Sequence, residues 1–192
     1  MSNTDILGFA SAIFCGGLAI IVAGGKQLSA VHWAFILGML GLAAENVFFG
    51  LSIETVLPSD VLFWQKCRII TASCTSSVWL FFSVAYARWN HSDFLKSWRP
   101  VLVAAFVLPI ATASFFGNNL IVSVVQTHTN QGIVRLGLSG AVLNAFSLLV
   151  AVLALMNLEA TFRAATGTML WRIKFIILGM GLIFIVRAYV SG

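Results

Sequence analysis

The sequence predicts an all-α polytopic membrane bundle of six transmembrane helices, with a short extracytoplasmic β-hairpin between the fourth and the fifth. Three observations predict it. The chain is 60% hydrophobic and 9% charged with a mean hydropathy of +1.00, where a soluble domain carries about 25% charged residues. Its apolar residues gather into stretches long enough to cross a hydrocarbon core of roughly 30 Å. The gaps between those stretches alternate between basic and almost uncharged.

The first span is read over Ile6 to Ala23. The residues before it, Met1 to Asp5, carry an acid and no base, so the segment is a retained helix rather than a signal peptide. After the gap that holds Lys26, the second span runs from Val31 to Ile53 and the third from Val61 to Ala87, joined by a loop around Leu57. The third gap holds Arg88, Lys96 and Arg99. Within it Phe94, Leu95 and Trp98 share one side of a helical turn, which predicts a short helix lying on the headgroups. Pro100 is then the first-turn proline of the fourth span, Val101 to Phe116.

The fourth gap, Gly117 to Gly137, contains two β-branched runs, Ile121 to Val125 and Ile133 to Leu136, around the polar stretch Gln126 to Gly132. That composition predicts a hairpin, too short to span, lying on the outer face or capping the bundle. It is either a connector or a ligand-gated lid. The fifth span, Leu138 to Leu158, continues past the membrane with Glu159 and Arg163 paired at i,i+4 and Gly167 as its stop. The sixth runs from Leu170 to Val190, with Arg172 and Lys174 in its first turns.

Positive charge sets the orientation. The odd gaps carry Lys26, then Arg88, Lys96 and Arg99, then Arg163, with Arg172 and Lys174 just inside the next helix, whereas the second gap has none before Lys66 and the fourth has Arg135 alone. This bias puts the odd gaps in the cytoplasm and the N-terminus outside. Trp33, Trp89, Trp98 and Trp171 then mark the cytoplasmic boundary and Trp64 the outer one. Six crossings bring Gly192 back to the outer side, so a cytoplasmic domain further along requires a seventh helix.

Several function classes are poorly served by this chain. The net charge of +5 sits at helix ends, as topology and attraction to anionic lipid require, rather than on a nucleic-acid face. Cys67 and Cys74 are two turns apart on one helix, about 10 Å, too far for a disulfide. His32, His91 and His128 are scattered near helix ends or in loops, and no His, Cys, Asp or Glu cluster has metal-ligand spacing. Thr71, Thr75, Ser76 and Ser77 have no neighbouring base to activate them. No catalytic residue, metal or cofactor is assigned.

The candidate site is an intramembrane polar set. Glu45 and Asn46 interrupt the second span, and a carboxylate in lipid is expected to face the bundle with a partner. Reflecting Glu45 through the loop near Leu57 lands near Arg68, at a similar depth. Lys66 and Arg187 are the alternatives. Arg68, Thr71, Thr75 and Trp79 recur at helical spacing and predict one inward polar stripe. The set is read either as a structural ion pair or as a ligand or proton-sensing pocket opening outward. Small residues, Gly8, Ala12 and Gly16 on the first helix and Ala72, Ser73, Ser76 and Ser77 on the third, predict close helix approach.

The runs Val78 to Asn90, Phe94 to Arg99, Met156 to Met169 and Trp171 to Phe175 together resemble the N-terminal membrane region of PrsK-type sensor histidine kinases. That family is associated with PEP-CTERM and exosortase systems of Gram-negative bacteria. The resemblance covers most of residues 60 to 190 and rests on the order of the cytoplasmic motifs. It implies a single sensor domain over 1–192, truncated before a seventh helix, a GAF-like region and a histidine kinase core. It further implies the bacterial inner membrane, a homodimer, and a kinase activity that resides outside these residues. The alternative reading is a small-solute transporter or channel, or a ligand-free membrane scaffold. An internal repeat with broken midplane helices, the usual transporter sign, is absent: Pro109 has no counterpart in the first half.

Overall fold

The computed structural model describes residues 3–25, 29–55, 57–86, 91–126, 132–164 and 168–191. Among them are six helices: α1 (Asn3–Ala23), α2 (Ala30–Glu54), α3 (Pro58–Tyr86), α4 (His91–Phe116), α5 (Leu138–Ala164) and α6 (Thr168–Ser191). Five of these, α1 to α5, hold stretches long and apolar enough to cross a membrane. The expected count of six spans is therefore met by five among the described residues. In α6 the described apolar stretch is Ile173–Ile185.

The chain is inside-out by the standard of a soluble protein. Ile13, Phe14, Ile20 and Ile21 on α1, Val103 and Val107 on α4, and Leu178, Leu182 and Ile185 on α6 all point away from the bundle. In water so much exposed apolar surface would aggregate; in hydrocarbon it is solvated. The buried positions of the bundle include many small and hydroxylated residues, among them Ser73, Thr75, Ser76, Ser77 and Ser83 on α3. Lipid tails are as apolar as leucine, so helices associate through close packing and interhelical hydrogen bonds instead.

Helix α3 occupies the centre, packed by α2, α4 and α5. Ser76 and Ser147 share a hydrogen bond of 2.7 Å that ties α3 to α5. The Ser77 hydroxyl donates to the Ala105 carbonyl at 2.5 Å, tying it to α4, and Asn157 Nδ2 donates to Ser83 Oγ at 3.4 Å. Around these links Ala34, Trp79, Leu80, Phe82, Leu102, Val150 and Met180 form one core drawn from α2 to α6. Phe35, Trp79 and Phe82 meet within it, edge-on or tilted, at centroid distances of 5.5 to 6.0 Å. Helix α1 stands outside that core and packs on α2.

The third gap differs from the sequence expectation. A separate surface helix before Pro100 is not seen; α4 runs unbroken from His91 through Pro100 to Phe116. Proline inside a helix removes one N–H, a loss that membrane helices tolerate where neighbouring groups satisfy the freed carbonyl.

On the other side of the bundle, a short 3-10 turn (Gly117–Asn119) leads from α4 into two strands, β1 (Ile121–Gln126) and β2 (Gly132–Leu136). They pair antiparallel, Val125 opposite Ile133 and Val124 opposite Val134, with an irregularity between Ile121 and Ser123. Residues 127–131, which include His128, lie outside the described residues. The base of this unit is anchored firmly. Leu120 and Ile121 are buried with Leu143 against Leu62, Ile69 and Ile70 of α3. Gly137 N donates to the Leu120 carbonyl at 2.9 Å. A side chain at Gly140 would strike that same carbonyl, so only glycine lets α5 begin here.

Candidate intramembrane polar site

Five positions on α2 recur at alternating three- and four-residue spacing and face α3: Gly38, Gly41, Glu45, Phe48 and Ser52. Four of them meet a named neighbour across the interface. A Cβ at Gly38 would lie 2.9 Å from the Trp79 indole, and one at Gly41 would meet the Thr75 hydroxyl. Phe48 stacks on Trp64 at 5.8 Å, and Gln65 Nε2 donates to Ser52 Oγ at 2.9 Å. The two helices run antiparallel, so the position between Gly41 and Phe48 falls level with the turn from Arg68 to Ala72. Glu45 holds that position. The depth match expected from the loop reflection is therefore reproduced by the register of the packed helices.

Arg68 is half-buried. Its Nη1 donates to Gln65 Oε1 at 3.4 Å, and its guanidinium lies 4.8 Å from the centre of the Phe49 ring. Arginine stacks on aromatic faces readily because its planar cation is weakly hydrated. Phe49 thus holds the Arg68 side chain toward α2, one turn from Glu45. Asn46 turns the other way, toward α1. Its Nδ2 donates to Ser11 Oγ at 3.1 Å and to the Leu42 carbonyl at 2.9 Å. Ser11 also hydrogen-bonds Cys15, and Glu45 lies within electrostatic range of that thiol. Asn46 therefore ties α2 to α1, while Glu45 stands on the run of α2 positions whose neighbours face α3.

The predicted stripe along α3 divides. Arg68 and Thr71 are half-buried within the polar seam, whereas Thr75 is buried and donates to the Thr71 carbonyl at 2.8 Å while packing on Gly41. Trp79 is 2% exposed and belongs to the apolar core. The structure therefore brings Glu45, Asn46, Arg68, Thr71 and Thr75 to the α1–α2–α3 seam and sends Trp79 into packing. The side chain of Arg187 lies outside the described residues.

Sequence reasoning missed Ser11, Ser52 and Gln65, each of which completes a hydrogen bond in the seam. The signal was present in the spacing of Gly38, Gly41, Glu45, Phe48 and Ser52, a seven-residue repeat that marks one helix face. Of the small residues read on α1, Gly8 packs on Asn46 and Phe49 and Ala12 is buried, but Gly16 faces open space. The three cysteines are free thiols. Among the described residues no group of His, Cys, Asp or Glu is placed to hold a metal ion.

The seam therefore holds charged and hydrogen-bonding groups at membrane depth on three helices. Comparison with family models, curated proteins and solved structures gave no match to this chain.

Proposed function

We propose that this chain is the membrane-embedded sensor module of a two-component sensor histidine kinase, coupling an envelope or bilayer signal to a cytoplasmic kinase core outside residues 1–192. One observation carries the reading: α3 touches every layer that a transmembrane signal has to cross. At one end Leu62, Ile69 and Ile70 hold the base of the β1–β2 unit. Beside them the same turns carry Arg68 and Thr71 in the polar seam. Towards the other end Ser83 meets Asn157 of α5. A rigid helix linking two sites passes a shift from one to the other when the packing around it has two arrangements. The resemblance of the cytoplasmic motifs to PrsK-type kinases supports the same reading and adds a homodimer in the bacterial inner membrane. In this arrangement six crossings start from an outside N-terminus, and a seventh helix leads to the kinase.

Orientation is tested by cysteine substitution in a background lacking native cysteines. An impermeant thiol reagent added to whole cells is expected to label cysteine at Asn130 and to spare cysteine at Asn90. The reverse pattern inverts the topology.

Activity is tested on the full natural polypeptide in inverted membrane vesicles supplied with labelled ATP. An acid-labile, alkali-stable phosphoryl group is expected, as phosphohistidine requires. Its level is expected to change when Glu45→Gln alters the seam. No phosphorylation, together with solute uptake by proteoliposomes of the same protein, would replace the sensor reading with a transporter.

A further inference from the structure

Helix α2 is preceded by Ser29, and three residues on comes His32, at the position where a capping box usually carries glutamate or glutamine. Here a histidine takes that part. The Ser29 backbone N–H donates to His32 Nδ1 at 3.3 Å, and the Ser29 hydroxyl lies 2.7 Å from the same nitrogen. The Ser29 side chain in turn meets the His32 backbone N–H, and the Ser29 carbonyl accepts from Trp33 N at 3.1 Å, closing the first turn.

A backbone N–H can only donate, so Nδ1 offers its lone pair and the ring proton sits on Nε2. The cap therefore needs a neutral histidine. A second proton would go on Nδ1, where it would point at the Ser29 N–H and end that hydrogen bond. It would also place a full positive charge in the first turn of a helix, the end at which the macrodipole is already positive. The capped form carries no proton on Nδ1 and the opened form accepts one, so the cap gains as pH rises and is lost as pH falls. Histidine is the side chain that changes charge between about pH 5 and 8, whereas glutamine in its place would hold the box throughout that range.

His32 is exposed, so protons reach it. Helix α2 packs on α1 and α3. The last two turns of α1 carry no titratable residue and the last two turns of α3 carry Tyr86, while Lys26 and Arg88 lie outside the described residues. The turn that His32 caps is tied to the core. Val31, Ala34 and Phe35 pack there, with Phe35 edge-on to Trp79 at 5.9 Å.

We propose that the Ser29–His32 cap is a proton-operated latch: protonation of His32 opens the first turn of α2 and loosens that end of the helix from α3. The latch is distinct from the Glu45 seam, and it stands whether or not the chain is a sensor.

The experiment follows amide hydrogen exchange over residues 30–36 of the whole chain in lipid nanodiscs at about pH 8 and about pH 5.5, each rate divided by the intrinsic rate at its pH. Protection in the wild type is expected to fall about fivefold at the lower pH, the worth of one cap. His32→Gln, which keeps an acceptor that does not titrate, is expected to hold the higher protection at both values. His32→Ala is expected to be poorly protected at both. Nitrogen NMR shifts of the wild-type imidazoles, with His91→Gln and His128→Gln identifying the other two rings, are expected to place the His32 proton on Nε2 at the higher pH. Equal protection of the wild type at the two pH values overturns the proposal. So does a proton on Nδ1 at the higher pH, or an equal fall in His32→Gln, which would move the effect to another group.

Discussion

Replacing Glu45 by glutamine is expected to destabilise the bundle by about 3 kcal/mol, and adding Arg68→Gln is expected to recover part of that loss. The α2–α3 register places the two residues at one depth, and Phe49 holds the guanidinium 4.8 Å from its ring centre on the α2 side. Charges at that depth are poorly solvated, so removing one leaves the other uncompensated, while removing both relieves the imbalance. The measurement is unfolding in mixed micelles with increasing dodecyl sulfate, followed by circular dichroism for the wild type, each single variant and the double variant. A coupling of about 1 kcal/mol or more between the positions is expected. Strict additivity would show that Glu45 and Arg68 answer to different partners. Lys66→Gln, on the same helix, is expected to change stability much less.

The second large effect concerns the glycines that let α2 approach α3. Gly38→Ala is expected to cost about 2 kcal/mol, because the added methyl would lie 2.9 Å from the ring of a tryptophan that is 2% exposed and has no room to retreat. Gly41→Ala meets the Thr75 hydroxyl and lies 3.1 Å from its methyl, for a loss of about 1 to 2 kcal/mol. The controls are Gly16→Ala and Gly179→Ala, where nothing lies within 4 Å of the new methyl. These are expected to remain within about 1 kcal/mol of wild type, because alanine suits a helix at least as well as glycine. Thermal unfolding of the four variants in detergent decides the matter. If Gly38→Ala melts with the controls, α2 and α3 do not pack in the register described.

These expectations separate two kinds of information. By itself the sequence determined that the chain is a membrane protein, where the helices of the first five spans lie, and that Glu45 needs a partner inside the bundle. Each follows from short-range physics: the hydrocarbon thickness fixes the length of an apolar run, and the cost of a charge in lipid singles out one carboxylate. The tertiary structure decided which faces meet. Serine, threonine and tryptophan have similar neighbours along the chain in the third span, and hydropathy does not separate Thr71 in the polar seam from Trp79 in the core. Only packing assigned Gly38 and Gly41 to α3, Asn46 to Ser11 of α1, and Ser76 to Ser147 of α5. Membrane helices gain little from burying apolar area against one another, so their contacts depend on shape and on single hydrogen bonds. Those terms depend on which residue stands opposite, and a linear pattern does not contain that. The continuity of α4 through Pro100 has the same origin: local preference starts a helix at proline, and neighbouring helices carry it through.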